Sequence, residues 1–290
     1  MTRTIGYYLQ LMRAPAVFTA LSNIFAAHLI QTQGEIIWPD LLLLLGSSAA
    51  LYSGGMTLND WFDYDTDLLE RPGRPLPSGR ISRHHALLFG GLLLICGAGL
   101  AALAGTRSFY IALSIVLLIL AYDGVLKRTV AGGLVMGGCR YFNWLLGFSL
   151  LPLTGQSLLI PIPIFIYIMA LTLLSREEEL AKNRAIVIFT ATGILLAALA
   201  IIGFGTVAGN VPGWKAILIV IGTGYLSYRL WLTYGDFSPA NIQATMKLLL
   251  FAIIPLDALL VLVFGPSWWA LAVLLLLLPG KLLARIMYIT

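Results

Sequence analysis

Residues 39–58, PDLLLLLGSSAALYSGGMTL, run directly into Asn59-Asp60-Trp61-Phe62-Asp63-Tyr64-Asp65-Thr66-Asp67. The first stretch has the length and apolarity of a bilayer-spanning helix. The second places carboxylates at its end, where they are expensive unless something positive joins them. Continued as a helix, Asp60, Asp63 and Asp67 fall at i, i+3 and i+7 and project from one face. Asp65 points away, and Asn59 sits beside the acidic stripe. Three hard oxygen donors on one face suit Mg²⁺, which prefers octahedral oxygen and shares its shell with phosphate. Taken alone, the motif reads equally well as a hydrated acidic loop.

The rest of the chain resembles residues 39–58 more than residues 59–67. Of 290 residues, 59% are hydrophobic and 11% charged, which leaves too little polar surface for a soluble domain. Apolar runs recur near 14–31, 39–58, 84–104, 108–123, 131–152, 160–175, 184–204, 213–233, 245–264 and 267–287. The expectation is one all-α domain over 1–290, a polytopic transmembrane bundle of nine or ten spans around a central cavity. A membrane barrel would instead need short alternating strands with polar lumen residues. The first run has no small-residue cleavage site, so it is expected to be a retained helix. Cys96 and Cys139 both fall inside expected spans and read as packing residues.

Basic residues set the orientation. With the N-terminus inside, only Arg107 and Lys215 lie outside and Arg140 lies within the fifth span; the remaining Lys and Arg fall on the inner side. The net charge of +5 then reports topology and anionic lipid headgroups rather than nucleic acid. The expectation is an integral membrane protein, in a bacterial inner membrane, with its active site facing the cytoplasm.

Polar chemistry gathers in the inner loops after spans two, four and six. The acidic motif is followed by Glu70-Arg71-Pro72-Gly73-Arg74-Pro75-Leu76-Pro77-Ser78-Gly79-Arg80, where prolines and glycines prevent a regular helix. Arg71 and Arg74 are positioned to fold back over a metal-held phosphate, which the planar guanidinium binds two oxygens at a time. Arg80 and Arg83 read as membrane anchors. The second loop carries Lys127-Arg128 after Tyr122, a pair that alone is an ordinary anchor. Arg140 and Asn143 lie three residues apart inside span five, and a mid-span arginine implies a cavity or a partner. In the third loop, Ser175, Glu179 and Asn183 share a helical face, which makes Glu179 the first choice as a metal ligand. Glu177 and Glu178 are weaker choices, and Glu178 with Lys182 also reads as an i,i+4 ion pair. Asp257, within span nine, is either functional or paired with Arg229 or Lys247.

Together these residues resemble the UbiA superfamily of intramembrane prenyltransferases. The resemblance rests on Arg13 and Pro15 at the start of span one, on Asn59-Asp60-x-x-Asp63-x-x-x-Asp67, on the 74–80 run, and on Tyr122 with Lys127-Arg128. It implies a helical bundle around a cavity, with two acidic motifs binding Mg²⁺ and an isoprenyl pyrophosphate, and a side opening to lipid. Carried across, Asn59, Asp60, Asp63 and Asp67 form the first metal site. Arg13, Arg71, Arg74, Lys127, Arg128, Arg140 and Asn143 become pyrophosphate contacts. The family's second motif is a run of aspartates spaced by four, and this chain has Ser175, Glu179 and Asn183 there instead. That departure implies a divergent UbiA-like branch, near the EboC-type proteins.

Such a site ionises an allylic pyrophosphate, with Mg²⁺ and basic side chains neutralising the leaving group. Transfer to a hydrophobic, aromatic acceptor is the leading expectation. A membrane terpene cyclase, which needs no acceptor, uses the same first motif, and a non-catalytic lipid-binding or transport protein is a third reading.

Overall fold

Apolar segments of this length have one hydrogen-bonding solution that needs no neighbour, because a helix satisfies every backbone group within its own segment. The computed structural model describes residues 2–179, 181–211 and 213–285, and all the regular elements among them are helices. In chain order these are α1 (Thr2–Leu11), α2 (Ala14–Gln31), α3 (Asp40–Phe62), α4 (Tyr64–Glu70), α5 (Arg83–Ala104) and α6 (Thr106–Ala121). A π-helical turn, Tyr122–Leu126, extends α6. There follow α7 (Gly132–Phe148), α8 (Gly155–Leu159), α9 (Ile162–Ser175), α10 (Ala185–Val207) and α11 (Gly213–Gly235). The last are α12 (Pro239–Phe251), α13 (Ile253–Phe264), α14 (Trp269–Leu275) and α15 (Leu277–Ala284).

Eight segments of the described chain are long and apolar enough to cross a membrane. The other two expected spans correspond to α7, 17 residues long, and to the broken Trp269–Ala284 stretch. Residues 286 and 287 of the tenth expected span lie outside the described residues. The interruptions have a local cause. Pro255 has no N–H to return to the carbonyl of Phe251, and the helix breaks at Ala252. Pro279 stands in the same relation to Leu275, where α14 ends.

Small residues let the helix backbones approach. Ser47 Oγ donates to the carbonyl of Gly97 at 2.7 Å, tying α3 to α5. A Cβ on Gly147 of α7 would lie 2.8 Å from the carbonyl of Ile24 on α2 and 2.6 Å from Ala27 Cβ. Around this contact Ile24, Leu29, Trp144, Phe148 and Leu260 are fully buried. The outer faces stay apolar, with Leu195 and Leu199 of α10 and Tyr228 and Trp231 of α11 exposed, as a lipid-facing surface requires.

One polar network crosses this interior. Asp257 on α13 is 0% exposed, and its carboxylate accepts from Ser22 Oγ at 2.5 Å, Asn23 Nδ2 at 2.8 and 2.9 Å, and Trp144 Nε1 at 3.2 Å. Its partners are thus hydroxyl, amide and indole groups from α2 and α7. Asn23 Oδ1 in turn accepts from Arg140 Nη1 and Asn143 Nδ2, each at 3.2 Å. The mid-span charges of α7 and α13 are therefore joined through one asparagine of α2.

Gly147→Leu should force α2 and α7 apart and lower unfolding stability by about 1–3 kcal/mol. Gly91→Leu, where an added Cβ meets nothing within 4 Å, should be near neutral. Unfolding of the two variants in micelles checks this, and equal losses would contradict the close-packed α2–α7 seam.

Candidate active site

Asp63 sits at the joint between α3 and α4, with φ −84° and ψ 3°. The helical hydrogen bonds carry through it, Asp63 N donating to the carbonyl of Asn59 at 3.0 Å and Asp67 N to that of Asp63 at 2.8 Å. The acidic motif therefore keeps its helical register. It opens onto a cavity of about 570 Å³ whose polar end holds Asp63, Asp67, Arg71, Arg74, Lys127 and Arg128. Deeper in, the same cavity is walled by Leu51, Ile115, Ile119, Ile168, Leu171 and Met246. A second cavity of about 440 Å³ carries Asp60 and Arg80 and shares Arg13, Arg71 and Arg74 with the first.

Asp60, Asp63 and Asp67 each face a cation. Arg74 Nη1 reaches Asp67 Oδ2 at 2.8 Å and Asp60 Oδ1 at 3.4 Å. Arg13 Nη2 approaches the same Asp60 oxygen at 3.4 Å. Arg13 adopts a left-handed conformation, φ 48°, at the corner between α1 and α2, which is uncommon for a residue with a Cβ. Lys127 Nζ pairs with Asp63, and Arg71 pairs with Glu179 at 2.7 Å. Arg128 Nη2 donates to Thr66 Oγ1 at 2.7 Å. Asp67 is 2% exposed, and burial pushes its carboxyl above the ordinary range while Arg74 pulls it back. Burial pushes Glu178 the same way, opposed chiefly by Arg71. Arg83, expected as an anchor, stacks on Trp61 and Tyr64, 5.0 and 4.9 Å from their ring centres.

The third loop departs from the expected helix. α9 ends at Ser175, and Ala181 takes a positive φ of 45°, so Ser175, Glu179 and Asn183 share no helical face. Glu177 turns inward to accept the backbone N–H groups of Lys182 and Asn183 at 2.6 and 3.0 Å. It braces the loop and lines neither cavity, unlike Glu178 and Glu179. Glu178 makes no ion pair with Lys182 among the described residues; together with Glu179 it lines both cavities. The sequence reading that ranks Glu179 first rests on a continued helix, because the sequence carries no sign of where the helix stops.

Arg140 and Asn143 line the first cavity, held by α2 and α3 rather than by the Asp63–Lys127 end. Asp123 was not singled out from the sequence and proves to be a cavity residue. The π-helical turn carries it against Asn59, whose Nδ2 donates to Asp123 Oδ1 at 2.6 Å. The available signal was an acid beside Gly124 at the end of an apolar run, and π turns recur at functional sites.

Among the described residues, no three acidic, His or Cys side chains converge closely enough to cage an ion. The donor chemistry nonetheless fits a hard dication, since Asn59, Asp63, Asp67, Glu178 and Glu179 present oxygen to one cavity.

A sequence model of the UbiA prenyltransferase family matches residues 20–254. The chain belongs to this family. A digeranylgeranylglyceryl phosphate synthase from Methanoregula boonei is 26% identical over 261 residues, covering 83% of this chain and 90% of that enzyme. One from Sulfurisphaera tokodaii is 31% identical over 134 residues, 46% of this chain, so the match spans about half (48%) of that relative. A UbiA homolog from Archaeoglobus fulgidus, solved bound to GPP and Mg²⁺, superposes with a TM-score of 0.70. That superposition covers 92% of this chain and 99% of the homolog at 16% identity, which establishes a shared fold.

Arg74→Met should leave Asp67 buried without its nearest cation and destabilise the UbiA-family fold by roughly 3–5 kcal/mol. Adding Asp67→Asn should recover much of that loss. Arg83→Met, at the partly exposed stack, should change stability by less than about 1 kcal/mol. Unfolding in micelles distinguishes the three, and an additive double mutant would show that Arg74 and Asp67 do not depend on each other.

Proposed function

We propose that this chain is a Mg²⁺-dependent intramembrane prenyltransferase that ionises an isoprenyl pyrophosphate and transfers the prenyl group to a hydrophobic acceptor. The observation that carries the reading is a single cavity with carboxylates and cations interleaved at one end and an aliphatic wall at the other. An amphiphile with a pyrophosphate head and an isoprenoid tail matches that polarity.

Arg13, Arg71, Arg74, Lys127 and Arg128 neutralise charge on the departing pyrophosphate, a contribution that grows where water is excluded. Asp60, Asp63 and Asp67, with Asn59 and Glu178 or Glu179, would hold Mg²⁺. The metal, when bound, acts as a Lewis acid on the leaving group. The aliphatic wall keeps water from the reactive allylic cation. For the acceptor, the sequence alone points to an aromatic compound, and the names of the relatives add a glyceryl phosphate lipid.

The cyclase reading passes through the same allylic cation and differs in needing no acceptor. The container reading leaves the interleaved charges without a purpose.

The test supplies geranyl, farnesyl and geranylgeranyl pyrophosphates with Mg²⁺ to the purified protein, with and without phenolic and glyceryl phosphate lipid acceptors. A prenylated product is expected only with an acceptor, and Asp60→Asn or Asp63→Asn should lower turnover by about a hundredfold or more. A terpene made without acceptor would establish the cyclase instead. Wild-type turnover in both variants would remove the acidic motif from the mechanism.

A further inference from the structure

The proposed ionisation uses the polar end of the cavity and leaves a second polar group, deeper in the bundle, without a task. Arg140 is 8% exposed, yet its side chain lines the cavity. Of its five N–H groups, one on Nη1 is taken by Asn23 Oδ1 and one on Nη2 by Thr19 Oγ1, the latter at 2.8 Å. The rest have no protein acceptor among the described residues. The guanidinium lies over the Tyr52 ring, 5.3 Å from its centre, and Tyr52 also lines the cavity. The Tyr52 hydroxyl has no hydrogen-bond partner among the described residues.

The elements behind Arg140 hold it rather than satisfy it. Asn23 gives its amide protons to Asp257 and its oxygen to Arg140, so the amide is oriented by a charge on either side. Asn143 braces Asn23 from the other side, its own oxygen filled by Ser48 Oγ at 2.7 Å. Asp257 thus acts as a counter-charge one residue removed, on the side away from the cavity. A direct Asp–Arg pair would consume the guanidinium donors; the intervening asparagine leaves them free. Desolvated donors in an apolar wall favour a ligand that brings an acceptor atom.

We propose that Arg140 and Tyr52 form a docking station for the hydroxyl oxygen of the prenyl acceptor, with Asn23 and Asp257 as positioning residues. This rests on the prenyltransferase reading for its meaning, but binding tests it separately. The shared chemistry is a hydroxyl on a hydrophobic body, and a phenol and a glycerol ether both supply it. Arg140 donates to the oxygen, Tyr52 turns its hydroxyl to donate or accept, and the aliphatic wall takes the rest.

The experiment measures binding of 4-nonylphenol, 1-O-nonylglycerol and nonylbenzene to the full-length protein in nanodiscs, with empty nanodiscs as background. Wild type should hold at least one of the hydroxyl compounds about tenfold more tightly than nonylbenzene. A preference for the phenol alone marks an aromatic acceptor, and a preference shared by the glycerol ether marks a hydroxyl in general; either supports the station. Arg140→Met should bring the ratio close to one. Tyr52→Phe, which keeps the ring, and Asp257→Asn, which keeps the shape, should each reduce it several-fold. Equal binding of all three compounds by wild type, or an unchanged ratio in a folded Tyr52→Phe and Asp257→Asn, would overturn the proposal. Mg²⁺-dependent binding of geranylgeranyl pyrophosphate, compared in wild type and Asp63→Asn, is scored alongside. If that binding is absent while the hydroxyl preference persists, the prenyltransferase reading fails and the station stands. The reverse pattern removes the station alone.

Discussion

The structure depends on the pairing of carboxylates with cations at one end of the bundle. Asp60 and Asp67 are 5% and 2% exposed, a degree of burial that an isolated ionised carboxylate does not tolerate. Arg74 answers both, Arg13 adds to Asp60, Lys127 takes Asp63, and Arg71 reaches Glu179. These bonds stitch the α1–α2 corner, the α3–α4 joint, the 71–80 loop, the end of the π-helical turn and the loop after α9 into one wall. Removing one member strands another, so the cost of breaking such a pair exceeds what the pair contributes over an apolar replacement.

The same lattice gives the site its chemical range. In the proposed reaction these carboxylates exchange their guanidinium and ammonium partners for a dication, and the released cations then face phosphate. No group needs to be created for that exchange. A second network, through Asp257, Asn23 and Arg140, follows the opposite design. It sits inside the spans, is bonded within the protein apart from the remaining Arg140 N–H groups, and meets the cavity at Ser48, Arg140 and Asn143, beside Tyr52. One network is built to change partners and the other to hold a side chain still.

Much of this was legible in the sequence. The length and spacing of apolar runs determine a helical bundle because a bilayer leaves the backbone few alternatives. The i, i+3, i+7 register of Asp60, Asp63 and Asp67 survives the break at Asp63, since the backbone hydrogen bonds continue across it. The third loop was not legible. Nothing in Arg176-Glu177-Glu178-Glu179 announces that α9 stops at Ser175, and a helix continued there adds Asn183 to Ser175 and Glu179, although only the latter two line the first cavity. Asp123 was missed because a π turn shifts side-chain direction without altering composition. Asp257 was recognisable as an ionisable residue in a span, but its partners are uncharged residues distant in sequence, which no charge pattern reveals. Arg140 and Asn143 were correctly seen as sharing a helix face. Their attachment to α2 becomes visible only once α7 is packed against it.

In the proposed function one cavity receives a pyrophosphate at its charged end and an isoprenoid chain along its aliphatic wall. A structure of the protein with Mg²⁺ and a non-ionisable thio analogue of geranylgeranyl pyrophosphate tests it most directly. The pyrophosphate should lie between the Asp63–Asp67 and Lys127–Arg128 sides, with the chain running past Ile119 and Leu171. A head group bound away from the acidic motif, or a chain lying outside this cavity, would contradict it.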